Sequence, residues 1–189
     1  VTTFAYDPNG NMILKTDPLG HSTTYIYDAL DRMLSETDAL GNSKTYVYDN
    51  VDNILSETDK NNGTYIYTYD KLNRQLSAQD PLNHVSTVTY DANGNPTSRT
   101  TAEGDTEMLI YDEVDQILLT INGAGDTTIY TYDLVGNELS ILYPNGQFMT
   151  YTYDDDDRML YNSDNLGLLV TYTYDGNGNI LTETDGNDA

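Results

Sequence analysis

Carboxylates carry most of the chemistry open to this chain, and they recur at a fixed spacing. An Asp follows a Tyr at Asp7, Asp28, Asp49, Asp70, Asp91, Asp112, Asp133, Asp154 and Asp175. Hard oxygen ligands in series suit Ca²⁺. Asp7-Pro8-Asn9-Gly10-Asn11, Asp91-Ala92-Asn93-Gly94-Asn95 and Asp175-Gly176-Asn177-Gly178-Asn179 share the spacing that opens a Ca²⁺ loop. They lack the later bidentate Glu that completes the 12-residue pattern. An Asp that opens a turn also accepts the backbone N–H two residues on, and this is the role expected of the nine. The densest run, Asp154, Asp155, Asp156 and Asp157, is where Ca²⁺ is expected if any binds, because crowded like charges attract a cation. No other cofactor is expected.

Other reactive groups are sparse. His21 and His84 stand alone in turns, without Cys or a second His nearby, and read as solvent-facing residues rather than bases or ligands. Cysteine is absent, which removes disulfides, thiolate metal sites and thiol nucleophiles. The serines fall mostly eight residues after a Tyr-Asp tyrosine, where no Ser/His/Asp neighbourhood can be assembled. No acid–base or nucleophile–base pair emerges, so the chain is expected not to be an enzyme. A net charge of −23 with only eight Lys and Arg argues against nucleic acid and against anionic membrane surfaces. No run approaches the ~18 apolar residues of a membrane helix, so no membrane insertion is expected.

The elements that hold these groups follow from the spacing. The tyrosines Tyr6, Tyr27, Tyr48, Tyr69, Tyr90, Tyr111, Tyr132, Tyr153 and Tyr174 lie 21 residues apart throughout, the mark of a repeat architecture. Let each such Tyr be position 0. Position −2 is always large and apolar (Phe4, Tyr25, Tyr46, Tyr67, Val88, Leu109, Tyr130, Tyr151, Tyr172), and position −1 is mostly Thr, Ile or Val. That period-2 alternation predicts a strand ending at the Tyr. Positions +4 and +14 are Gly, Asn or Asp in all nine repeats, the residues that tolerate positive φ, so two turns per repeat are predicted. Position +7 is aliphatic except at Thr97 and marks a second strand, with its side chain expected inward beside a buried Tyr ladder. Pro96 falls in that strand and predicts a local edge or bulge. No window shows a 3.6-residue apolar stripe, so no significant helix is expected.

Two strands and two turns per repeat describe a continuous β-meander. The whole chain, 1–189, reads as a single array of nine in-phase repeats. A 5-residue partial precedes the first Tyr and 16 residues begin at the last one. Those two pieces sum to one period, so the expected partners are further repeats of the same array or another copy continuing end to end. A lone hairpin is at best marginal in water, and each repeat is expected to depend on its neighbours. Asn62-Gly63-Thr64 is the one usable glycosylation sequon, which makes Asn62 a candidate acceptor.

The run Tyr172-Thr173-Tyr174-Asp175-Gly176-Asn177-Gly178-Asn179-Ile180-Leu181 resembles the YD repeat of Rhs proteins and teneurins. So does Tyr25-Ile26-Tyr27-Asp28-Ala29-Leu30-Asp31-Arg32-Met33-Leu34. The resemblance covers essentially the whole chain. It implies an all-β fold of tandem 21-residue β-hairpins forming a continuous spiralling sheet, solenoid or shell-like, with Tyr-rich interior layers. Family members include bacterial toxins whose repeats enclose a C-terminal toxic domain, wall-associated proteins, and adhesion proteins of animal cells. The function expected is a non-enzymatic scaffold, secreted or on the cell surface, forming part of a fibre. The alternatives are a segment of a toxin-encapsulating shell, with a toxin domain as cargo, or an adhesive module for glycans or proteins. Nine equal repeat lengths favour the fibre.

Overall fold

The computed structural model describes residues 1–186 and is all β, with eighteen strands and no α-helix among them. The strands are β1 (Thr3–Tyr6), β2 (Met12–Thr16), β3 (Ser22–Tyr27), β4 (Met33–Thr37), β5 (Ser43–Tyr48) and β6 (Ile54–Thr58). Then come β7 (Thr64–Tyr69), β8 (Gln75–Gln79), β9 (Val85–Tyr90), β10 (Pro96–Thr100), β11 (Thr106–Tyr111) and β12 (Ile117–Ile121). The last six are β13 (Thr127–Tyr132), β14 (Glu138–Leu142), β15 (Phe148–Tyr153), β16 (Met159–Asp164), β17 (Gly167–Tyr174) and β18 (Ile180–Asp185). Contacts divide the chain into two units: Val1–Val88 with Thr100–Gly104, and Thr89–Arg99 with the residues from Asp105 onward.

In the first unit each strand from β1 to β9 pairs antiparallel with its chain neighbour. In the second the same holds from β11 to β18. Adjacent antiparallel strands need only a short turn to join them, and the Gly/Asn/Asp positions supply it. Among the described residues, all seventeen with positive φ sit at +4 or +14, from Gly10 at 93° to Asp115 at 67° and Gly178 at 86°. The ninth residue at +14, Asp188, lies outside the described residues.

The register explains why one aliphatic position behaves unexpectedly. Tyr27 lies opposite Met33, but Ile26 lies opposite Ser35, so Leu34 is passed over in a β-bulge. The same slip recurs at Tyr6, Tyr48, Tyr69, Tyr111, Tyr132, Tyr153 and Tyr174. Position +6, rather than +7, therefore faces the Tyr across the ladder, and several +7 residues are exposed, Leu181 at 64 %. A bulge leaves its extra residue outside the pairing, which period-2 reasoning does not anticipate. Pro96 opens β10 at this same +6 position, where a missing N–H is tolerated.

The two faces differ as alternation requires. Tyr25 and Tyr27 are half-buried while Ile26 between them is 58 % exposed. On the outer face, residues −1 and +8 lie opposite each other and their hydroxyls pair. Examples are Thr68 with Ser77 at 2.6 Å and Thr131 with Ser140 at 2.7 Å. The buried Tyr ladder expected from the pattern is instead half-buried, and Leu109, 5 % exposed, is the one buried hydrophobic among the described residues.

Candidate functional site

The Tyr-Asp dipeptide works as two separate devices that meet at the first turn of each repeat. The Asp builds the turn. In the second repeat, Asp28 Oδ1 accepts the N–H groups of Leu30 and Arg32 at 2.9 and 3.0 Å. The Asp28 N–H donates to the Arg32 carbonyl at 2.9 Å, and the Asp31 N–H donates to the Asp28 carbonyl at 3.2 Å. One carboxylate thus satisfies donors that a tight turn would otherwise leave to water. The pattern repeats at Asp7, Asp49, Asp70, Asp112, Asp133 and Asp175.

The second turn uses the same device ten residues later. Asp17 Oδ1 takes the N–H groups of Leu19 and His21, and Asp80 Oδ1 those of Leu82 and His84. Each His also places Nδ1 2.9 Å from the same Asp's Oδ2. His21 and His84 are therefore exposed turn residues that brace an Asp. The hydrogen bond from the His21 side chain is the main influence holding Asp17 below the usual carboxylate range.

The Tyr performs the second task. The Tyr27 hydroxyl donates to the Met12 carbonyl at 3.1 Å, fifteen residues back, in the preceding repeat. Tyr48 reaches Met33, Tyr69 reaches Ile54, and Tyr111 reaches Pro96, at 2.9, 3.0 and 2.9 Å. Tyr132, Tyr153 and Tyr174 reach Ile117, Glu138 and Met159 at 2.9, 3.0 and 2.7 Å. In every case the acceptor is the +6 residue, next to the bulge where the ladder is interrupted. Partial burial pushes the hydroxyls of Tyr27, Tyr48, Tyr132 and Tyr153 above their ordinary range. Tyr6, in the first repeat, is 58 % exposed.

A third device at this edge is not apparent from the Tyr-Asp dipeptide itself. Position +5 carries Asn or Arg except at Gln116, and the Asn or Arg side chain grips the +1 carboxylate: Arg32 Nε and Nη2 hold Asp28 Oδ2 at 2.8 and 2.7 Å. From there it reaches the next repeat. Asn11 donates to Asp31, Asn53 to Asn73 and Asn137 to Asp157, at 2.6, 3.0 and 2.9 Å. Arg32 donates to Asp52 Oδ1 and to the Asp49 carbonyl, both at 2.8 Å, and covers the Tyr48 ring 4.7 Å from its centroid. The Arg32 hydrogen bond is the first cause depressing the Asp28 carboxyl, as the Asn53 amide is for Asp49.

The acidic run is organised in the same way. Asp154 accepts from the backbone of Asp156 and Arg158 and is clamped by the Arg158 guanidinium at 2.8 and 2.6 Å. Arg158 also reaches Asp156 at 3.2 Å, and Asp157 takes the Asn137 amide. An internal cation thus stands where Ca²⁺ was expected. Among the described residues no three His, Asp or Glu side chains gather as a group able to hold a metal. Asn62 lies exposed at a turn tip with φ 65°. On the Tyr face of the second unit, Leu118, Tyr130, Tyr132 and Val135 line an open groove of ≈ 750 Å³.

These bonds join β-hairpins in which Tyr27, Tyr48, Tyr69, Tyr111, Tyr132, Tyr153 and Tyr174 each tie their repeat to the one before. The RHS repeat family model matches two stretches of the chain, residues 6–43 and 69–106. Comparison with curated proteins finds no match. Among solved structures, that of TcdB2–TccC3–TEV aligns with a TM-score of 0.68 at 17 % identity, over 98 % of this chain and 11 % of that one. TcdB2–TccC3–Cdc42 gives 0.69 at 17 %, over 97 % of this chain and 11 % of that one. The Tc holotoxin pore of Photorhabdus luminescens gives 0.54 at 17 %, over 98 % and 12 %. The chain therefore spans about a tenth of the length of these similar structures, and the likeness establishes its fold.

Proposed function

We propose that the chain is a non-enzymatic structural scaffold: a repeat segment of a secreted or surface array that further Tyr-Asp repeats continue at its strand edges. The observation that carries this is the hydroxyl bond from Tyr to the preceding repeat, recurring at Tyr27, Tyr48, Tyr69, Tyr111, Tyr132, Tyr153 and Tyr174. The groups able to do chemistry are committed to structure. The turn carboxylates cap backbone N–H groups, and these Tyr hydroxyls stitch repeats together. A repeat stabilised through its neighbour is suited to bearing shape rather than turning over a substrate.

A second reading, a wall segment of a toxin-encapsulating shell, is favoured by the fold likeness to TcdB2–TccC3. Electron microscopy of the native full-length protein decides between them. Continuous filaments are the outcome expected for the fibre, and discrete hollow particles assign the segment to a shell. Irregular aggregates lacking either form would defeat the scaffold reading itself.

A further inference from the structure

In the second unit the +5 side chain closes on Oδ2 of its own turn Asp, with one exception. Asn95, Asn137 and Asn179 reach Asp91, Asp133 and Asp175 at 3.1, 3.0 and 2.9 Å. Arg158 Nε reaches Asp154 at 2.8 Å. Asp112 is the exception. Its Oδ1 caps the N–H groups of Val114 and Gln116 as the repeat requires, at 2.9 Å each. Its Oδ2 accepts no hydrogen bond among the described residues. Gln116 stands at +5, and its side chain lies over Gly136 of the next repeat instead, where an added Cβ would meet Nε2 at 2.9 Å.

The same unit shows what a place of this kind holds. The Arg158 guanidinium sits between the Asp154 carboxylate, 2.6 Å away, and the Tyr174 ring of the next repeat, 4.9 Å from its centroid. Tyr174 is fixed by its hydroxyl bond to Met159, and Tyr132 is fixed by the equivalent bond to Ile117. Two repeats before Asp154 and Tyr174, therefore, Asp112 and Tyr132 stand as the corresponding pair of walls. Both line the open groove of ≈ 750 Å³, together with Gln116, Leu118, Tyr130 and Val135, and no Lys or Arg lines it. Burial is the first cause raising the Tyr132 hydroxyl, and the Asp112 charge adds to it, so the two groups lie within electrostatic reach.

We propose that this groove binds the arginine side chain of a polypeptide partner. The guanidinium donates to Asp112 Oδ2 and to the Gln116 amide oxygen, and it covers the Tyr132 ring as Arg158 covers Tyr174. The methylene stem lies along Leu118 and Val135. Arginine is selected over lysine because a planar fork can bond a carboxylate and cover a ring together, whereas an ammonium is a point charge. The site is independent of the scaffold reading, since fibre and shell would both carry it.

The test titrates the full chain with a blocked Gly-Arg-Gly peptide, followed by nuclear magnetic resonance of the Gln116 side-chain amide and the Tyr132 ring. Saturable shifts at both are expected. Asp112→Asn should weaken binding about tenfold, the loss of one hydrogen bond to a charged group. Its Oδ1 still caps the turn, as Asn122 Oδ1 does for Ala124 and Asp126. Gln116→Arg should supply the guanidinium internally and abolish peptide binding. No saturable shift, or binding that survives Gln116→Arg, would overturn the proposal. Equal binding of Gly-Lys-Gly would overturn the selection of a guanidinium. Equal binding of methylguanidinium, which lacks the stem, would assign the groove to small guanidines and overturn the arginine side chain as occupant. Should Gln116→Arg fold poorly, Asp112→Asn decides alone, because unchanged affinity there refutes the role of Oδ2.

Discussion

Replacing Tyr132 with Phe removes one oxygen and leaves the ring in place. The wild-type hydroxyl donates to the Ile117 carbonyl at 2.9 Å. An intramolecular hydrogen bond contributes about 0.5–1.5 kcal/mol net, and a shielded acceptor left unsatisfied costs about 1–3 kcal/mol. Tyr132 is half-buried, so water reaches the site partially and about 1 kcal/mol is the expected loss. For a chain of this size that lowers Tm by roughly 2–4 °C. Tyr6→Phe is the internal control: its residue is 58 % exposed, and a surface change of this kind stays within about 0.5 kcal/mol. Urea unfolding followed by circular dichroism reads both. The stitch argument fails if Tyr132→Phe is as stable as wild type, or if Tyr6→Phe costs as much.

The remaining predictions concern pH, turns and metal. Asp28, Asp154 and Asp175 are held below 3.8 chiefly by hydrogen bonds from Arg32, Arg158 and Asn179. Their contribution is complete above pH 3.8 and is lost as pH falls through the folded values, so acid unfolding should begin below that point. Glu138 runs the other way, because burial raises its pKa above 4.5. Glu138→Gln should raise Tm at pH 7 and leave it unchanged near pH 4, and a fall at pH 7 would contradict this. Tyr132 and Tyr153 are raised above 10 by burial. Their stability is present below pH 10 and lost above it, which difference spectroscopy at 295 nm should show as ionisation coinciding with unfolding. Gly146→Val at φ 79° should cost roughly 1–2 kcal/mol, the penalty of a side chain in the left-handed region, and an unchanged Tm would argue against that turn. Adding Ca²⁺ or chelator should leave Tm unchanged because Arg158 already clamps Asp154, whereas a rise with Ca²⁺ alone would assign an ion to Asp154–Asp157.

Much of the fold was legible because each feature appears nine times. The strand ending at each Tyr and the positive-φ residues at +4 and +14 follow from residue types that have few other uses. The bulge was not legible. Leu34 and Leu55 look like core residues in a list of apolar positions, yet the pairing of Tyr27 with Met33 passes Leu34 over. The burial of the tyrosines was overestimated for a related reason. Periodicity reports which side chains share a face, and it does not report how much covers that face. The Asn and Arg residues at +5 are plain in the letters, but their reach to the next repeat shows only when neighbouring turns stand side by side. His21 and His84 gave no signal of their brace until their Asp partners four residues earlier were placed in a shared turn.

The nearest-neighbour pairing of β11 to β18 has a mechanical consequence. A pulling force applied along the chain meets bonds that close only over one or two strands. The Tyr hydroxyl bond spans fifteen residues, and the bond from Asn137 to Asp157 spans twenty. Unravelling should therefore proceed hairpin by hairpin, each 21-residue step releasing about 70 Å of extended chain. An array built this way yields at its edge in small increments while its interior stays folded.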